Sequence, residues 1–256
     1  MRSISLFAVV PAVVIALLTP AGSAAHRPEA APSAAPRTDS KASGADTLSA
    51  RRAFVGLPAT TLDLLPRDTR LDMLDYFDVD SIYRAPNTMD GRSWLDTVTP
   101  DYLKVVMTPV STLEIKVLPD RKYGDIVMTV YTIGAGSQAA DSEVQFYDAA
   151  LRPLDASKLF KPAQLSDFVE LSKDRDKGKD KAAAAAESPL TMREVETLVP
   201  FPTVEYSASP GNTDLIGCLT VGKYMDLESY RRLEPYLTGP VTYRWDGSRF
   251  RADKRR

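Results

Sequence analysis

Between Tyr102 and Tyr147 the chain repeats in steps of two, and that period constrains the fold more than any other feature. Leu113, Ile115 and Val117 alternate with Thr112, Glu114 and Lys116, the pattern of a half-buried strand. Pro119-Asp120 reads as the turn that ends it, because proline presets the first turn position and aspartate favours the next. From Ile126 to Ile133 apolar side chains occupy both faces, Ile126, Met128 and Val130 on one and Val127, Tyr131 and Ile133 on the other. A strand apolar on both sides belongs in the middle of a sheet or between two layers. After a Gly/Ala/Ser loop, Val144 and Phe146 alternate with Glu143, Gln145 and Tyr147 as a further strand. Tyr102–Met107 adds one before the block, with Pro109 either making a turn or bending an edge strand.

The N-terminus has a different character. Met1-Arg2 leads into an apolar run from Ile4 to Leu18, then Thr19-Pro20 and the small residues Ala21 to Ala25. Ser23 and Ala25 satisfy the small-residue requirement of a cleavage site, so residues 1–25 read as a signal peptide cut before His26. The apolar run is shorter than the roughly 20 residues a spanning helix needs. The expected location is the periplasm or the extracellular space, without a lipid anchor, because no cysteine follows the run. Residues 26–51 are rich in alanine, proline and serine, have little to bury, and read as a disordered leader.

The expected domain spans residues 52–252, followed by a basic tail at 253–256. Thr60-Thr-Leu-Asp63 looks like the cap of a short first helix, and Leu71, Leu74 and Phe77 recur at helical spacing in a second, Asp68–Phe77. Asp80 to Arg92 reads as loop and Trp94 to Thr99 is weakly patterned; Leu154 to Phe168 reads as loop and one short helix. Residues 172–188, a run of alternating charge followed by five alanines, have no apolar face and read as an exposed insertion. Phe201–Ala208 and Asp214–Val221 are strands joined by a Ser-Pro-Gly-Asn turn, and Asp226 caps a helix from Leu227 to Leu237 in which Pro235 disturbs the last turn. Asp246-Gly247 signals a hairpin in which a two-residue loop pairs Trp245 with Ser248 and Tyr243 with Phe250, placing Val241, Tyr243 and Phe250 on one face. The fold class is α+β, a mainly antiparallel sheet packed by two N-terminal helices and one late helix. Thr112–Val117 and Thr203–Ala208 also resemble each other, so two related three-stranded units are one reading of the same pattern.

Composition removes most chemistry. With 26% charged residues and a net charge of −2, the chain offers no concentrated positive field for nucleic acid. Its one histidine, His26, lies in the leader and its one cysteine, Cys218, in a strand. Ser-His-Asp and Cys-His catalysis therefore lack a base, multi-residue His/Cys zinc sites lack ligands, and Ser-x-x-Lys does not occur. Gly134-Ala-Gly-Ser-Gln-Ala139 fits a relaxed dinucleotide fingerprint, but a strand follows it where a helix N-terminus is required, so no cofactor is expected. Asp75, Asp78 and Asp80 are the candidate cation ligands, read against a solvated helix face because glycine and a distal glutamate are missing at calcium-loop spacing. Glu114, Asp125, Asp148 and Glu205 lie on or beside strands and keep an acid-pair glycan hydrolase open. Trp94, Tyr206 and Tyr224 are the candidate stacking aromatics of a binding surface.

Phe54-Val-Gly-Leu-Pro58, Leu64-Leu-Pro66 and Arg70-Leu-Asp-Met-Leu-Asp75 resemble the opening of an uncharacterised exported domain family of Bacteroidales. Leu113–Pro119, Asp141–Asp148 and Tyr243–Phe250 resemble its later motifs, with the charged insertion as a departure. The family has no assigned function, so the resemblance implies an exported domain and carries no catalytic residues. The expectation is a non-catalytic envelope module that binds a protein or a glycan, with no membrane span after signal cleavage. The alternatives are an acid-pair glycan hydrolase and a purely structural envelope protein.

Overall fold

The computed structural model describes residues 48–79, 83–136, 139–171 and 189–253. The expected signal peptide, most of the leader, the insertion at 172–188 and all but Asp253 of the basic tail lie outside them. In chain order the helices are α1 (Ala50–Gly56), α2 (Arg67–Val79), α3 (Ala156–Leu159), α4 (Met192–Leu198) and α5 (Leu227–Leu233). The strands are β1 (Ala85–Pro86), β2 (Arg92–Val98), β3 (Tyr102–Thr108), β4 (Ser111–Asp120), β5 (Gly124–Ile133), β6 (Asp141–Tyr147), β7 (Pro153–Leu154), β8 (Val204–Ala208), β9 (Leu215–Leu219), β10 (Val241–Trp245) and β11 (Phe250–Ala252). They form two antiparallel sheets, a seven-stranded one in the order β1-β2-β3-β4-β5-β6-β7 and a four-stranded one in the order β11-β10-β9-β8. The fold is α+β and mainly antiparallel, as expected, and its strands fall into two sheets.

The two apolar faces of β5 explain the layering. Val127 packs with Leu103, Val105, Leu113 and Ile115 beneath α1 and α2, whose Phe54, Met73 and Leu74 close that core. Ile126, Met128 and Val130 face the other way, against Phe160 of the segment after α3 and against Val204, Leu215, Val241, Tyr243 and Phe250 of the second sheet. A satellite cluster joins Leu165, Val195 of α4, Val221 and Leu233 of α5.

Several local expectations are corrected by tertiary contacts. The first helix is α1, capped by Ser49, whose hydroxyl accepts from the Arg52 N–H; Thr60–Asp63 forms turns instead. The fold therefore includes residues assigned to the leader. Arg70 is buried and its Nη1 donates to the carbonyls of Phe54 and Leu57 at 2.9 and 2.8 Å, satisfying acceptors at the C-terminal end of α1. That rotates α2 so that Arg70, Met73 and Leu74 are buried and Leu71, expected in the apolar stripe, is exposed.

Pro119 does not end β4, which runs on to Asp120. The Val117 N–H points away from β5 to the Asp101 carbonyl, and Pro119, two residues on, lacks an N–H on that same side, beyond the end of β3. Pro109-Val110 is the two-residue connection of the β3–β4 hairpin. The weakly patterned Trp94 region is β2, and α4 is an element the sequence reading missed, capped by Thr191 and Glu194 in a reciprocal box. Asp226 caps α5 as expected, and the chain tightens into a 3₁₀ turn at Glu234–Tyr236, where Pro235 sits. The β10–β11 hairpin has a longer loop than expected: Trp245 pairs with Phe250 and Tyr243 with Ala252. The shift is two residues, so Val241, Tyr243 and Phe250 still face the core.

The polar face of β4 is buried as well. Glu114 and Lys116 are 5% and 1% exposed, because the corner of the second sheet lies over them. The three outward N–H groups of edge strand β8 are each taken by a side chain of the first sheet. Val204 donates to Asp141 Oδ1 (3.1 Å), Tyr206 to Ser142 Oγ (3.0 Å) and Ala208 to Glu114 Oε2 (2.7 Å). Lys116 Nζ donates to Asp101 Oδ2 at 2.5 Å and to the Ser209 carbonyl at 2.9 Å. At the other end of this sheet, Trp245 Nε1 donates to the Pro119 carbonyl and the Arg121 N–H to that of Gly247.

Candidate binding groove

The deepest aromatic cluster lies where the α3 segment meets the second sheet. Asp155 caps α3 by accepting from the Ser157 N–H, and Leu159 anchors the single turn in the core. The chain then runs extended through Phe160–Gln164 into a 3₁₀ turn at Leu165–Phe168, where Asp167 Oδ2 accepts from the Gln164 N–H. Tyr206 fixes this extended segment, its hydroxyl oxygen accepting from the Ala163 N–H at 2.7 Å. Phe160 is the hub of the cluster, with ring centroids 5.1 Å from Tyr206, 5.0 Å from Tyr243 and 6.0 Å from Phe250, all edge-on. Burial pushes the Tyr206 phenol up, and burial together with the neighbouring Tyr206 pushes Tyr243 up, so both stay protonated at neutral pH.

A groove of about 420 Å³ opens between this segment and the β10–β11 hairpin. Phe160, Tyr243 and Phe250 form its apolar part; Lys158, Lys161, Arg249 and Arg251 surround them, with Asp167 as the one acidic lining residue. Lys158 lies 3.1 Å from Asp155, and Arg251 Nε donates to Asp246 Oδ2 at 2.5 Å. That contact, with the Ser248 hydroxyl, holds the Asp246 carboxyl well below the usual carboxylate range. Lys161 and Arg249 have no carboxylate partner among the described residues. On the other side of the same segment a second groove of about 330 Å³ is lined by Val144, Ala156, Phe160, Pro162 and Tyr206. The rings are spent on one another, so what the groove offers a ligand is its cationic rim over a narrow apolar floor.

The sequence-predicted candidates do not converge. Trp94 is half-buried in β2, with the Arg84 guanidinium 3.8 Å above its ring. Tyr206 is a core residue that reaches only the rim of the second groove. Tyr224 is exposed, and its hydroxyl donates to the Phe201 carbonyl at 2.5 Å. Asp75 is exposed on α2, while Asp78 pairs with Arg51, whose hydrogen bond lowers the Asp78 pKa; Asp80 lies outside the described residues. Among the described residues no three His, Cys, Asp or Glu side chains are grouped to hold a metal ion. Of the strand carboxylates, Glu114 is buried against Lys104 and Ala208, and Asp148 pairs with Arg152. Burial raises the Glu114 pKa, and it raises that of the half-buried Cys218 thiol. A different pair, Asp63 and Glu143, lines a polar cleft of about 200 Å³ with Thr60, Thr61, Tyr131 and Gln145. Of the Gly134–Ala139 motif, residues 137 and 138 lie outside the described residues, and the element that follows it is strand β6.

Phe160, Lys158 and Lys161 were missed because they sit in a segment that looks like loop and one short helix, and Arg249 because it sits in the turn of the closing hairpin. Their signals were the Asp155-x-Ser157 cap and Pro162, which hold an aromatic at a fixed point between them.

Fold and groove together define a two-sheet α+β domain with a groove whose lining carries four cationic side chains. The chain belongs to a family described as protein of unknown function (DUF3256), which matches residues 42–250. No curated protein matches it. A solved domain of an uncharacterized protein from Porphyromonas gingivalis W83 is similar in fold, with a TM-score of 0.64 at 18% identity, covering 80% of this chain and 98% of that one.

Proposed function

We propose that this protein is an exported, non-catalytic module of the cell envelope that binds a protein or a glycan through the groove between α3 and the β10–β11 hairpin. The observation that carries it is the groove itself, an apolar floor formed by the edges of the buried Phe160, Tyr243 and Phe250 rings within a ring of four cations, of which two lack a carboxylate partner among the described residues. Such a combination of apolar body and convergent charge is what recognition sites use. Export rests on Arg2, the apolar run from Ile4 to Leu18 and the small residues Ser23 and Ala25. N-terminal sequencing of the natural protein is expected to begin at His26; a sequence beginning at Met1 would remove export. Thermal melting across panels of peptides and glycans is expected to shift with at least one class, and to lose that shift in Arg249→Glu. An unchanged melt across both panels counts against the binding module.

The polar cleft supports a second reading. An acid-pair glycan hydrolase could use Asp63 and Glu143, carboxylates that line one cleft among the described residues. Release of reducing sugar from a polysaccharide panel, abolished by either Asp63→Asn or Glu143→Gln, would favour it over the module.

A further inference from the structure

Among the described residues, the groove runs along a sheet edge that no strand pairs with. In the β10–β11 ladder, Asp246 donates to the Arg249 carbonyl and Asp253 to that of Thr242, with Arg244 opposite Arg251 between them. The main-chain groups of Arg249, Arg251 and Asp253 therefore face β10, and those of Phe250 and Ala252 face away from it. Among the described residues the outward N–H and C=O groups of Phe250 and Ala252 have no partner, and both residues line the groove. Across the groove stand Phe160, Lys161 and Pro162.

We infer that the groove takes an extended, acidic peptide segment that adds to β11 as a fifth strand of the second sheet. The inference rests on the binding-module reading and selects protein over glycan. The edge offers a donor and an acceptor at Phe250 and again two residues on at Ala252, roughly 7 Å apart, which is the repeat of another β-strand. A sugar hydroxyl has no such paired repeat. On one face of the added strand the side chains pass the groove floor, where 4–6% of Phe160, Tyr243 and Phe250 is exposed. The others meet Lys158, Lys161, Arg249 and Arg251, against which Asp167 is the single acidic lining residue and already accepts from Gln164. Charge complementarity selects glutamate or aspartate at those positions.

The test is fluorescence anisotropy with the full chain and a short labelled peptide of alternating glutamate and valine. Its comparison probes are the lysine-for-glutamate peptide, the acidic peptide N-methylated at alternate amides in either phase, and oligogalacturonate as an anionic glycan. The acidic peptide is expected to bind about tenfold or more tightly than the lysine peptide, and one N-methylated phase to lose a similar factor. Ala252→Pro removes an outward N–H, and Arg249→Glu with Lys161→Glu reverses the charge; each is expected to weaken the acidic peptide about tenfold while far-UV circular dichroism stays unchanged. Equal affinity for both N-methylated phases and the parent peptide shows attraction by charge alone and overturns strand addition. Oligogalacturonate binding more tightly than the acidic peptide, and weakened by Arg249→Glu, overturns the peptide ligand and leaves the binding module standing. Absence of binding by every probe overturns both.

Discussion

Strands β8 and β11 are the two edges of one four-stranded sheet, and they are finished in opposite ways. Every outward N–H of β8 at Val204, Tyr206 and Ala208 is taken by a side chain from the first sheet. The outward groups of β11 face a groove. An unpaired sheet edge is a template for another chain, and proteins normally cover or blunt it. Here one edge is sealed by Asp141, Ser142 and Glu114, side chains that look like ordinary strand polarity in the sequence. The open edge is held in place from behind, by Trp245 on the Pro119 carbonyl and Arg121 on that of Gly247. One edge is therefore closed by the first sheet, and the other leaves its outward groups on the groove.

Proline substitution separates the two most sharply. Ala208→Pro deletes the N–H that Glu114 accepts and leaves a buried carboxylate oxygen without that donor, so unfolding in urea should show a loss of about 3 kcal/mol. A loss near zero would mean that the β8 seal contributes nothing. Next in size is Ser142→Ala, which removes the oxygen that accepts from Tyr206 and bonds Thr132; about 1–2 kcal/mol is expected, with faster hydrogen exchange at the Tyr206 amide.

The third prediction concerns pH. Burial raises the Glu114 carboxyl above its ordinary value of 4.5, despite Lys104 and the Ala208 N–H acting the other way. A raised folded-state pKa means that the native state holds the proton more tightly than the unfolded chain. The stability contributed is then full below 4.5 and is lost as pH rises through the folded value. The stability gap between the natural protein and Glu114→Gln should therefore narrow from about pH 4 to about pH 7 in paired denaturant titrations. A gap that widens would show that Lys104 holds Glu114 as a carboxylate. The smallest expected effect is that of Ala252→Pro on the open edge, within about 0.5 kcal/mol of the natural protein, because its N–H bonds nothing in the sheet. A loss comparable to that of Ala208→Pro would erase the difference between the edges.

The sequence by itself determined the α+β class, the β3–β6 block, helix α2, the β8–β9 pair and the capped start of α5, because each rests on a local period or a local cap. The tertiary structure decided what lies across from each face. The Leu113–Lys116 alternation reads as one buried and one wet side, yet β8 comes to rest on the polar side and buries Glu114 and Lys116. Leu71 loses the core to Arg70 because the free carbonyls of α1 need a donor. The groove combines residues 157–162 with 249–252. No local pattern encodes that meeting, since it depends on where two sheets stop and which edge remains uncovered.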